Sequence, residues 1–160
     1  NGLIIVDTHR SPATMNTIKK LIEEEFGEKK LLYVINTHAD WDHSSGNQLF
    51  SQAIIIGQTN CPDAMRRSPA NSPSAIASLR SEIKGMGGTL GDENDDLPHG
   101  GDRAREIEMW NKMVVSLENE YNLTPPAKTF DDSLIHRALS SGQAPDRQAE
   151  YQLGRPLYRL

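Results

Sequence analysis

The sequence specifies an α/β fold, βαβ units whose helices pack on one sheet, and three observations carry that reading. Gly2-Leu-Ile-Ile-Val6 and Leu31-Leu-Tyr-Val-Ile35 are short, β-branched apolar runs of the kind that form buried strands. Between them, Met15, Ile18, Leu21, Ile22 and Phe26 recur at helical spacing. A third apolar run, Ala53-Ile-Ile-Ile56-Gly57, follows a polar segment. Strand, helix and strand over this length join parallel strands through a right-handed crossover.

The elements follow in order. The first strand ends at Asp7, and Ser11-Pro12 punctuates. A helix is expected over 14–26, with Gly27 where a C-cap glycine belongs. The polar segment Asn36 to Asn47 leaves the carboxyl end of the second strand, which is where sites form in open α/β sheets. A short helix is expected over His43 to Phe50, then the third strand. Cys61 to Arg67 reads as a short helix, and Ser74 to Met86 as another on Ile76, Leu79 and Ile83. Gly87 to Gly101, rich in glycine and acidic residues, reads as a mobile loop. Asp102 is the expected N-cap of a long helix striped by Ile107, Trp110, Val114, Leu117 and Tyr121 and closed by Pro125-Pro126. No strand pattern is read beyond Phe130. The expected organisation is one domain over 1–139 and a polar, poorly ordered tail over 140–160.

The length of 160 residues suits a single domain with a core, and 36% hydrophobic with 24% charged residues is not a disordered composition. A net charge of −5 leaves no electrostatic footprint for nucleic acid or an anionic membrane, so neither is an expected partner. One cysteine, Cys61, excludes an intrachain disulfide framework and reads as a small buried hydrophobe. The apolar runs are too short to span a bilayer. Asn1 leads straight into a strand with no initiator Met, so the natural N-terminus is expected upstream, and any export signal with it. The compartment is not fixed by the sequence, with the cytoplasm as the working expectation.

The chemistry lies in Thr37-His-Ala-Asp-Trp-Asp-His43, where His38, Asp40, Asp42 and His43 place four potential ligands within six residues. In an extended loop, side chains at i and i+2 share a side, so His38 and Asp40 can converge on one ion. Asp42 and His43 are adjacent and could serve a second. Imidazole and carboxylate suit zinc, with iron or manganese as alternatives. An ion with open positions makes hydroxide available by lowering the pKa of water towards ~7. The plain alternative is an ordinary polar loop in which Asp42 and His43 cap the next helix.

Asn36 to Asn47 resembles the His-x-His-x-Asp-His loop of the metallo-β-lactamase superfamily, in matching context: a strand ending in Asp7, a helix, a strand entering the motif, and a strand ending in Ile56-Gly57. The resemblance covers 2–67, with a fainter echo at Thr129-Phe-Asp-Asp132. It implies part of an αββα sandwich with a metal centre at one edge. His38 and Asp40 would hold the first metal, Asp42 and His43 the second, and Asp42 would also orient the attacking water. Two departures stand out. Asp40 occupies a place where the family usually has His. The downstream ligands, in a Gly-x-x-His-Thr-x-Gly-like turn and beyond, are not found, so the chain is expected to be a fragment, a truncated paralogue or a frame that loses the pattern near residue 134.

Other residues have plainer readings. His9 follows Asp7 near the end of the first strand and could approach the site, with a surface loop histidine as the plainer reading, and His99 and His136 are remote substitutes for missing ligands. Trp41 packs beneath the loop or lines a cleft, Trp110 is core, and Ser44-Ser45 lacks a base to make it a nucleophile. The function expected is hydrolysis of a small-molecule ester, thioester, lactam, sulfate or phosphate ester by metal-activated water. Its rival is a catalytically inactive remnant that binds metal weakly or serves as an interaction module. A di-iron electron-transfer or oxygen-handling role is the third reading, without a flavin-binding sequence to support it. Half a sandwich leaves a sheet face uncovered, which makes a homodimer through that face a further expectation.

Overall fold

The computed structural model describes residues 2–27, 29–88, 100–132, 134–138 and 149–153. Its larger sheet has β1 (Leu3–Val6), β2 (Leu31–Ile35), β3 (Ile54–Gln58) and β4 (Lys128–Phe130) side by side in that order, all parallel. Parallel neighbours need crossovers, and the sequence supplies them. Helix α1 (Pro12–Phe26) joins β1 to β2. Helix α2 (Trp41–Ser44) and a 3-10 turn (Asn47–Phe50) join β2 to β3. The three helices α3 (Cys61–Arg67), α4 (Pro73–Gly88) and α5 (Gly100–Asn119) lie between β3 and β4. No helix among the described residues is long and apolar enough to cross a membrane.

Local chemistry sets the first crossover. Ser11 caps α1 by accepting from Thr14 N at 3.3 Å, and Pro12 follows at a position whose N–H the helix does not use. Gly27 ends α1 at φ 65°, a left-handed angle that suits glycine. Register then decides which side chains meet. Ile5, Val34 and Ile55 stand opposite one another across β1, β2 and β3, so they share one face of the sheet. Met15, Ile18 and Ile22 of α1 pack on that row with Phe50 of the 3-10 turn. The next row puts Ile4 beside Tyr33 and Ile54 on the opposite face, where Ile4, Val6 and Ile54 are exposed.

A second core joins α4 to α5. Ile76, Leu79 and Ile83 meet Met113, Val114 and Leu117, and Trp41, Trp110 and Tyr121 pack at its rim. Trp41 thus braces the motif loop against the helical layer. Ser116 ties this layer to the first crossover by accepting from Ala13 N at 3.0 Å. On the outside, Arg80 makes a two-pronged ion pair with Glu118, at 3.2 and 2.6 Å.

Several elements differ from the sequence expectation. The helix expected over 43–50 is broken in two, because Gly46 packs where no side chain fits: a Cβ there would lie 2.5 Å from Met15 Cβ. Helix α5 starts at Gly100, so Asp102 is not its cap. Glycine is tolerated at Gly100 and Gly101 because first-turn N–H groups have no intrahelical acceptor to lose. The same helix stops at Asn119 instead of running to the prolines. Gln48 captures the departing chain, donating to Glu120 O at 2.8 Å and accepting from Asn122 N. Beyond Phe130, where no strand was read, β5 (Leu134–Ala138) pairs antiparallel with β6 (Ala149–Leu153), which falls inside the segment expected to be a poorly ordered tail. Ala149-Glu-Tyr-Gln-Leu153 alternates with period 2, but Leu134-Ile-His-Arg-Ala138 does not, so the pair left little strand signal in the sequence. Of the loop expected over 87–101, positions 89–99 and with them His99 lie outside the described residues, as does the side chain of His136 on β5.

Cys61 is buried, 4% exposed, against Gly57 at the end of β3. Burial, reinforced by the carboxylates of Asp7 and Asp40, pushes its thiol up from 9.0 to about 11. The unfolded thiol ionises near 9.0 while the folded one holds its proton, so this group leaves stability unchanged below that pH and erodes it as pH climbs towards about 11. Ellman's reagent at pH 8 is expected to label the folded protein slowly and the guanidinium-unfolded protein in a single fast phase; fast labelling without denaturant would contradict the burial.

Candidate metal centre

The motif loop leaves β2 at the carboxyl edge of the sheet, and its first residue continues the ladder. Asn36 N donates to Ile56 O at 2.8 Å, and on the other side Asp7 N donates to Ile35 O at 2.9 Å. Parallel pairing therefore sets Asp7 beside Thr37, although 30 residues separate them. Asp7 takes φ 59° there, an angle aspartate tolerates better than most residues.

Its carboxylate organises both histidines. Oδ1 accepts from Thr37 N at 2.9 Å, Oδ2 accepts from Thr37 Oγ1 at 2.8 Å, and Oδ2 lies 2.9 Å from His43 Nδ1. A carboxylate only accepts, so His43 carries its proton on Nδ1 and offers the lone pair of Nε2. Thr37 has a single hydroxyl proton, and Asp7 receives it. Towards His38 Nδ1, 2.8 Å away, Thr37 Oγ1 can then only accept, so His38 also holds its proton on Nδ1 and offers Nε2. Hydrogen bonding thus assigns both tautomers to the form a metal requires.

The side chains of His38, Asp42 and His43 gather in one place. One ligand atom from each lies within 4.8 Å of the other two, and the imidazole centroids are 4.0 Å apart. Asp42 Oδ2 approaches His43 Nε2 at 3.5 Å, and Asp40 Oδ2 approaches His38 Nε2 at the same distance. With the protons on Nδ1, each of these is a pair of acceptors facing one another with no hydrogen between. A cation or a shared proton suits such a pair. Asp40, the residue before α2, has a side chain 73% exposed beside His38, and among the described residues it stands outside the three-residue group. Ligand atoms on one tetrahedral zinc are about 3.3 Å apart, so the donor set fits an ion with a small inward closure of the side chains.

Beneath the loop is a buried latch that the sequence reading missed. Asn36 and Asn47 bond reciprocally through their amides, at 3.1 and 2.8 Å. Thr8 Oγ1 donates to Asn47 Oδ1 at 2.8 Å, and Asn47 Nδ2 reaches Thr124 O at 2.9 Å. All three side chains are almost fully buried. The available signal was the pair of asparagines flanking the motif, a costly choice for a loop unless the amides are satisfied. Ser44 and Ser45 hydroxyls donate to Asp40 O and Trp41 O, so they serve the backbone of α2. His9 is not a free surface histidine. It has φ 64°, its Nδ1 is sealed without a partner, and burial first, then Arg10 and His43, lowers its pKa against the opposing pull of Asp42.

A family profile described as the metallo-beta-lactamase superfamily matches residues 1–116, most of the chain. The chain belongs to the metallo-β-lactamase superfamily. A comparison with curated proteins found no match.

Cutting the latch should cost more than its solvent exposure alone would suggest. Asn47→Ala leaves the Asn36 amide unpaired in the interior and removes the shorter of the two bonds that Thr8 Oγ1 donates, the other going to His43 O at 3.4 Å, and is expected to lower the unfolding free energy by about 3 kcal/mol. Gly46→Ala, which forces a Cβ into Met15, is expected to cost about 1–3 kcal/mol. Urea denaturation followed by circular dichroism measures both; unchanged midpoints would contradict this account of the loop.

Proposed function

We propose that the chain carries the metal-binding loop of a metal-dependent hydrolase. In this reading His38, Asp40, Asp42 and His43 hold one or two divalent ions, zinc foremost, with iron or manganese as alternatives. The substrate is a small molecule cleaved at an ester, thioester, lactam or sulfate-type bond. Membership of the superfamily supports the class of activity. The single observation that supports these residues is the gathering of His38, Asp42 and His43, one ligand atom of each within 4.8 Å of the others, beside the Asp7 carboxylate that bonds His43 Nδ1.

A bound ion would supply hydroxide at neutral pH and polarise the scissile bond. The residues of the chain do the rest. His38 and His43 turn Nε2 towards the site because Thr37 and Asp7 accept from their Nδ1–H groups. Asp42 is partly open to solvent beside His43 Nε2, where its carboxylate can accept a proton from an attacking water and fix that water's direction. Asp40, exposed beside His38, can swing inward to add a fourth ligand, an oxygen, or remain in solvent. Its exposure favours a second reading, a member of the family that binds metal weakly and does not turn over substrate.

Calorimetric titration with zinc, paired with assays on p-nitrophenyl ester, phosphate and sulfate substrates and a chromogenic lactam, separates the two. The hydrolase reading expects at least one tightly held ion per chain, and an Asp42→Ala variant that loses turnover with weakened binding. Asp7→Asn removes the charge and turns one of the two acceptor oxygens into a donor, so Thr37 and His43 can no longer all be satisfied, and it is expected to weaken zinc binding about 10–100-fold. Weak binding with no turnover of any substrate would overturn the hydrolase reading.

A further inference from the structure

His9 carries two separate costs, and the turn it occupies needs neither from an imidazole. The first is its backbone angle of φ 64°, in the left-handed region that side chains disfavour, although histidine, like the aspartate at Asp7, enters it more readily than most. That angle is imposed from outside the ring. Thr8 N donates to His43 O at 2.6 Å and Ser45 N donates to His9 O at 3.2 Å, so the segment is clamped to α2 on both sides. Glycine would meet this geometry with less strain. The second cost is Nδ1, sealed from solvent with no hydrogen-bond partner. Both penalties therefore go with a side chain that does not stabilise its surroundings through any hydrogen bond. Strain and an orphaned polar atom together mark a residue kept for binding.

Its surroundings say what it would bind. His9 lines a cleft of about 500 Å³ with Asp7, Arg10, Asp42 and His43, and the remaining walls are apolar side chains of β1 and α1. That volume is in the range of small-molecule sites. A buried N–H without an acceptor costs more than a buried lone pair, so the proton of the neutral ring belongs on Nε2. Nε2 is not sealed, and the ring faces the cleft, so it is the donor offered there. Arg10 shares the wall, its guanidinium carbon held 5.6 Å from the centroid of the Trp110 ring, and sets a positive charge against the carboxylates of Asp7 and Asp42, so an anion would seat on the His9 and Arg10 side of the cleft.

We propose that His9 is a substrate-binding group: its Nε2–H donates to an oxyanion of the substrate, a carboxylate, phosphate or sulfate, while the scissile bond lies against Asp42 and His43. The inference rests on the hydrolase reading of the neighbouring loop, and it narrows the substrate to an anionic molecule with an apolar portion.

Nitrogen-15 spectra of the imidazoles test it directly. His9 should be the Nε2-protonated tautomer, and its signals should move on titration with acetate, inorganic phosphate or sulfate, with zinc bound and without it. The anion that saturates at lowest concentration identifies the group. Spectra in which His9 is protonated on Nδ1, or unmoved by all three anions, overturn the proposal. The variant His9→Gly adds a readout a structural role would not give. It should melt at the same temperature or a few degrees higher, because strain is relieved. Zinc affinity should stay within about twofold, and KM for the p-nitrophenyl ester bearing the preferred anion should rise about tenfold or more with kcat little changed. A lower melting temperature shows that the ring is structural and also overturns it. If no substrate turns over yet the His9 signals respond to an anion, the hydrolase reading fails and the oxyanion site stands. Turnover with silent His9 signals gives the reverse.

Discussion

One carboxylate decides what the motif loop can do. Asp7 sits at the end of β1 and accepts from Thr37 twice and from His43 once. Without it, each histidine could expose either nitrogen, and rotation about the side-chain bonds would let the rings part. With it, the proton positions follow from counting: Asp7 can only accept, and Thr37 has one proton to give. The second histidine is thereby governed by a residue it never touches. Thr37 is the relay between Asp7 and His38, so Asp7 and Thr37 act as one unit.

The position of Asp7 is itself a consequence of the sheet. Only parallel pairing of β1 with β2 sets the two carboxyl ends side by side, and only the crossover through α1 permits that pairing. The contact is then fixed below the surface. The Asn36, Asn47 and Thr8 side chains bond to one another in the interior, and Gly46 lets the loop come against Met15. The buried amides are costly to leave unpaired, which makes them good at fixing the backbone. The carboxylate and the ligands above them are partly open to water and remain free to exchange protons and ions.

Much of this was legible in the sequence, for identifiable reasons. The strands β1, β2 and β3 and the helix between the first two announced themselves by composition and spacing, because their burial leaves no other arrangement for Ile5, Val34 and Ile55. The motif loop stood out because four potential ligands in six residues are rare in an ordinary turn, and three of them, His38, Asp42 and His43, come within 4.8 Å of one another. What escaped depended on partners far along the chain. Gln48 stops α5 from seventy positions away, a contact no local pattern encodes. The split of the helix expected over 43–50 follows from the close approach of Gly46 to Met15, which only packing reveals. Asp7 was noted as the end of a strand and its meaning missed, yet parallel order alone would have set it beside Thr37.

A division of labour follows between the two kinds of polar group around the loop. Water competes for the bonds to a partly exposed carboxylate, so losing one there costs less than losing one in the interior, where the unpaired group is also desolvated. The latch fixes the backbone first, in a setting where each lost bond costs more. Once the backbone is fixed, the bonds to Asp7 need only choose a tautomer and a ring angle, which lies within their strength. The reverse arrangement, with a buried carboxylate and an exposed amide latch, would pay a heavy desolvation penalty for the charge and leave the backbone loose. Ligand direction is therefore set at the surface and ligand position in the interior, and a substitution in either layer disturbs the site in a different way.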